Sequence, residues 1–98
     1  MTAPSPIPAS VLVVDDDDTI RALVAFALRR AGLDVLEAHS GQAGLELVAS
    51  ETVDLVVLDM TMPGMSGTDV VRALRSGSET ATLPILLMTG SGDEDSVI

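Results

Sequence analysis

Four side chains in this sequence stand where apolar runs stop. Asp15 and Asp16 follow VLVV (11–14), Asp59 follows LVVL (55–58), and Thr89 follows PILLM (84–88). Carboxylates a few ångströms apart repel, and desolvation deepens the cost unless a cation intervenes or a proton is retained. If the runs are neighbouring strands, three carboxylates and a hydroxyl converge on one small pocket that calls for a hard divalent ion. Carboxylate, carbonyl and water ligands favour Mg2+ or Mn2+, and Mg2+ takes one or two carboxylates while leaving positions for phosphate oxygens. A carboxylate, a metal and a hydroxyl are the parts needed for phosphoryl transfer onto an aspartate.

The elements that must position these groups are written in the apolar pattern. VLVV (11–14) does not alternate, which predicts a strand buried on both faces. Ile20, Leu23, Val24, Ala27, Leu28 and Ala31 recur at three- and four-residue spacing and predict an amphipathic helix stopped by Gly32. DVLEA (34–38) reads as a more polar strand, followed by a helix over 41–50. VDLVVLDM (53–60) is the strongest buried-strand signal, followed by the loop TMPGMSG (61–67), a helix over 68–76, a second loop (77–83) and a fourth strand, PILLMTG (84–90). Strands alternating with helices of this length predict an α/β protein. Its sheet would be parallel, with right-handed crossovers and helices on both faces. Ligands in such sheets bind at the carboxyl ends of the strands, where the strand order reverses. Asp15, Asp16, Asp59 and Thr89 are all expected at those ends.

Composition narrows the function classes. With 98 residues the chain is at most one small domain; 47% of it is apolar, yet Phe26 is its one aromatic residue, so the core must come from aliphatic side chains. There is no cysteine, which excludes disulfides and thiolate metal sites and fits a reducing cytoplasm. Fifteen acidic residues face five arginines and no lysine, for a formal charge of −10, so nucleic acid is not an expected partner of this segment. No apolar run approaches the roughly 18 residues of a membrane span. Residues 1–10 (MTAPSPIPAS) carry three prolines and read as a flexible leader.

The acidic pair after a hydrophobic strand, LVVLDMTMPGMSG (55–67) around Asp59, and PILLMTG (84–90), in that order, resemble the receiver domain of two-component response regulators. The resemblance runs from Val11 to Ile98. It implies a flavodoxin-like doubly wound sheet of order 2-1-3-4-5 and a signalling function in place of enzyme activity. Asp59 would accept a phosphoryl group from a phosphohistidine on a sensor histidine kinase or phosphotransfer protein. Asp15, Asp16, Asp59 and the backbone carbonyl of Thr61 would hold Mg2+ or Mn2+, and Thr89 would be the switch hydroxyl. Pro63, Gly64 and Gly67 would shape the turn beyond the acceptor.

The sequence also departs from that pattern. A receiver has five strand–helix units, and SGDEDSVI (91–98) reads as the opening of the fourth helix, so 11–98 is expected to be an incomplete receiver. The family's fifth-strand lysine and switch aromatic have no counterpart, since the chain has neither Lys nor Tyr. Such a chain would leave the fourth strand as an open edge, with a dimer or a segment swap expected. An output domain beyond Ile98 would decide the readout. Two rival readings are a degenerate receiver that only binds partners and a haloacid-dehalogenase-type phosphatase. The latter usually has a second aspartate where Thr61 stands. Asp17 and Asp18 are expected to serve the start of the first helix, His39 to be solvated, and the methionines at 60, 62, 65 and 88 to pack.

Overall fold

The computed structural model describes residues 8–88. Along the chain run β1 (Ser10–Val14), α1 (Asp18–Arg30), β2 (Asp34–Ala38), α2 (Gly41–Ser50), β3 (Leu55–Asp59), α3 (Gly67–Ser76) and β4 (Ile85–Met88). The four strands form one parallel sheet in the order β2-β1-β3-β4. This matches the expected order as far as the described residues reach. The chain reverses direction across the sheet between β2 and β3, so β1 and β3 lie side by side at the switch point. Val14 pairs with Ala38 on one flank and with Leu58 on the other.

The non-alternating runs are buried on both faces because helices cover both. Leu12, Val14, Val56 and Leu58 face α2 and α3, where they pack with Val70, Leu74, Leu45 and Val48. Val11, Val13 and Val57 face the other way, toward Val24 and Leu28 of α1. Side chains of this size contribute about 1.5–3 kcal/mol each when fully buried, so the central strands β1 and β3 hold the sheet together. That makes their carboxyl ends a rigid platform.

Each helix begins at a side-chain cap. Asp17 accepts from the N–H groups of Thr19 and Ile20 at 2.9 and 3.0 Å. Ser40 accepts from Ala43, and Ser66 and Asp69 form a reciprocal capping box at the start of α3. α1 therefore starts at Asp18, two residues before the apolar period begins. Its sole buried residue is Ala25. Ile20, Leu23 and Phe26 on α1 and Leu86 on β4 are exposed, and β4 is an edge of the sheet among the described residues.

Candidate functional site

The acidic site is assembled by the pairing of β1 with β3. Val14 and Leu58 are register partners, so the next residue on each strand, Asp15 and Asp59, emerges at the same edge of the sheet. Asp15 is 2% exposed and Asp59 8%, whereas Asp16 is exposed. One carboxylate oxygen from each of the three lies within 4.8 Å of the others. The expected convergence of Asp15, Asp16 and Asp59 is therefore present. Thr89 lies outside the described residues.

Local turns aim the two buried acids. Oδ1 of Asp15 accepts from the N–H of Asp17 at 2.9 Å, and Oδ1 of Asp59 accepts from the N–H of Thr61 at 3.0 Å. Each aspartate closes a two-residue turn with one oxygen, which leaves the second free for a ligand. The N–H of Asp15 donates to the carbonyl of Ala38 at 3.1 Å, and that of Met60 to the carbonyl of Met88 at 3.0 Å, so the loops leave the sheet in fixed directions. Thr61 is exposed beyond Asp59.

Burial raises the pKa of Asp59 above its ordinary value; the bond from Thr61 pulls it down, and the charges of Asp15 and Asp16 push it up again. The folded protein thus places Asp59 beside two other acids at a site that resists its ionisation. A hard cation relieves that conflict, and an all-oxygen donor set suits Mg2+ or Mn2+ and not a softer metal.

The turn after Asp59 is tightly built. Gly64 has a positive φ of 78°, a conformation glycine adopts at no steric cost. At Gly67 a Cβ would fall 2.6 Å from Cα of Met60 and 2.8 Å from the carbonyl oxygen of Asp59. The start of α3 therefore rests directly on the backbone of the candidate acceptor. This is why a glycine stands there. Pro63 and Gly64 are exposed, as expected of a turn, while Met62 packs into the core. His39 is exposed.

The run of four aspartates divides its labour. Asp15 and Asp16 belong to the pocket, Asp17 caps α1, and Asp18 in the first turn pairs with Arg21 at 2.7 Å. Arg21 was not among the residues that sequence reasoning singled out. Arginine on a helix flank gives no signal of its own, and its role depends on what the fold places beside it.

Among the described residues no helix is long and apolar enough to cross a membrane. The family model for the response regulator receiver domain matches residues 11–98. The chain is 37% identical over 89 residues to the phosphate regulon transcriptional regulatory protein PhoB of Pseudomonas aeruginosa, covering 91% of this chain and 39% of that one. It is 36% identical over 89 residues to the chemotaxis protein CheY of the same organism, covering 90% of this chain and 72% of that one. Among solved structures, the response regulator protein TrrA from Thermotoga maritima, in complex with Mg(2+)-BeF, superposes with a TM-score of 0.79 at 34% identity, covering 86% of this chain and 71% of that chain. The chain spans about two fifths of the transcriptional regulator it matches. With a family match across the whole β/α pattern, a sheet of the same order and three acids at its switch point, this chain belongs to the response regulator receiver domain family.

Proposed function

We propose that this domain is a phosphorylation switch in which Asp59 takes a phosphoryl group from a histidine kinase or phosphotransfer protein. The observation that carries the reading is the clustering of Asp15, Asp16 and Asp59, with carboxylate oxygens within 4.8 Å of one another at the switch point of the sheet. Asp15, Asp16, Asp59 and the carbonyl of Thr61 would hold Mg2+; when bound, the ion neutralises the acids and offers open positions to phosphate oxygens. The Mg(2+)-BeF complex of the TrrA relative supports this choice of metal.

Asp59 supplies the nucleophile through the carboxylate oxygen not committed to the Thr61 N–H. As the new phosphorus–oxygen bond forms, the phosphorus–nitrogen bond of the donor phosphohistidine breaks, leaving an acyl phosphate on Asp59. The N–H of Thr61 fixes the carboxylate's rotation, so the attacking oxygen is oriented before the donor arrives. Asp59 is nearly buried while Asp16 is exposed. In the same proposal Thr89 follows the phosphoryl group as the switch hydroxyl and transmits the change to the segment after β4.

Readout would rest with a partner or an output domain outside these residues, and the greater length of the transcriptional regulator PhoB supports that arrangement. The charge of −10 argues against nucleic acid binding by this segment, and the absence of cysteine fits a cytoplasmic setting. Intact mass spectrometry with Mg2+ and acetyl phosphate tests the proposal. Wild type should gain one phosphoryl group and Asp59→Asn none; labelling that persists in the variant would refute the assignment.

A further inference from the structure

Arg21 is a charged group that the proposed chemistry leaves unused. It lies in the first turns of α1, and its side chain is 16% exposed, against 51% for Arg29 and 76% for Arg72. The guanidinium reaches three separate partners. Nη1 donates to the backbone carbonyl of Asp15 at 2.9 Å, Nη2 to Oδ1 of Asp18 at 2.7 Å, and Nε to Oε1 of Glu37 on β2 at 3.3 Å. The backbone N–H of Arg21 also donates to the carbonyl of Asp17 at 2.9 Å. Both its backbone and its guanidinium are therefore tied to the segment that carries the acids.

The carbonyl of Asp15 belongs to the peptide unit that joins Asp15 to Asp16. That unit is planar and rigid, so holding its oxygen fixes the direction in which Asp16 leaves the strand. Asp15 is held from β2 through its own N–H, which donates to Ala38. Arg21 supplies the opposing tie. Glu37 in turn meets both Arg21 and Arg29, which braces the guanidinium against the sheet. A planar fork with several donors in fixed geometry can serve three acceptors at once; an ammonium on a flexible stem does so poorly.

We propose that Arg21 is a positioning residue for the divalent-cation site, clamping the Asp15–Asp16 peptide so that both carboxylates face one ion. The inference rests on the reading of the pocket as a cation site. It also predicts a sign that electrostatics alone would not. A guanidinium near a cation site repels the ion, so removing its charge should tighten binding; loss of the clamp should weaken it. Asp18 and Glu37 already answer most of that charge, and the geometric effect dominates.

The test is titration of Mn2+, followed by electron paramagnetic resonance of the free ion, on the full chain and its variants, with metal-free melting curves alongside. Arg21→Gln should bind Mn2+ about tenfold or more weakly, the range seen when a group orienting a metal ligand is removed. Arg21→Lys, which keeps the charge without the fork, should stay weakened. Arg21→Gln binding as well as or better than wild type would overturn the inference, as would full recovery in Arg21→Lys. Should Arg21→Gln melt below the assay temperature, Arg21→Lys decides: weakened binding supports the clamp and wild-type binding refutes it. Wild type that fails to bind Mn2+ would overturn the cation-site reading itself, and Asp16→Ala calibrates that loss.

Discussion

Replacing Asp59 with Asn should stabilise the metal-free protein at neutral pH, although it removes the residue on which signalling is proposed to depend. Asn has the same shape and its Oδ1 can still accept from Thr61, so the turn beyond β3 survives while one negative charge leaves the cluster. With oxygens within 4.8 Å, each like-charge pair costs at least about 3.5 kcal/mol at an effective dielectric of about 20 before screening. Asp16 is exposed and its share is screened by water and salt. The new amide protons also give up solvation beside buried neighbours. A net gain of about 1–2 kcal/mol is expected, with each kcal/mol raising the melting temperature by about 4–8 °C in a domain of this size.

The pH dependence identifies the cause. The folded-state pKa of Asp59 is raised above its ordinary value of 3.8, so folding favours its protonated form. Its contribution to stability is fully present below that ordinary value and is lost as pH rises through the folded-state one. Wild type should therefore fall behind the variant progressively above pH of about 4, and the two should converge in acid. Saturating Mg2+ should reverse the order, because an ion bound only by the folded state contributes about 2.7 kcal/mol at a hundredfold excess over its Kd. Thermal melts in a chelator and in Mg2+, across pH, read all three effects. A variant less stable than wild type in the chelator at pH 7, or a difference independent of pH, would refute the electrostatic reasoning.

Two further expectations concern the shell around the acids. Gly67→Ala should cost about 1–3 kcal/mol, the range for overpacking, because its Cβ meets backbone at Met60 and Asp59; equal chemical-denaturation midpoints for variant and wild type would contradict the packing seen there. Ser66→Ala removes one half of the capping box on α3 and should cost about 1 kcal/mol, read as faster amide exchange in the first turn of that helix.

Much of the architecture was legible because β1 and β3 are buried on both faces, and a run such as LVVL has few other uses in a short chain. The acids could be placed because the strand-end rule needs only the order of elements. Boundaries were harder. Apolar periodicity locates the buried face of α1 from Ile20, but its start at Asp18 is set by the Asp17 cap. β3 begins at Leu55 and not at Val53, although Asp54 is already tied to Ser10 at the head of β1: its carboxylate accepts from the N–H of Ser10 at 2.7 Å, and its own N–H donates to the Ser10 carbonyl at 2.8 Å. Arg21 was out of reach, because its three acceptors lie on a loop, a helix start and a strand whose proximity only the folded chain creates.

Asp15 and Asp59 leave adjacent parallel strands at matched positions, and such strands lie about 4.7–4.9 Å apart because backbone hydrogen bonds set that spacing. The gauge of the acidic mouth is thus inherited from the ladder beneath it. Exchanges of aliphatic residues along β1 and β3 can retune stability without widening the gap between the two carboxylates, whereas a bulge or a slipped register would abolish it at once. The distance between these two carboxylates is in this sense a property of the main chain, whereas the placing of Asp16 belongs to the loop that carries it.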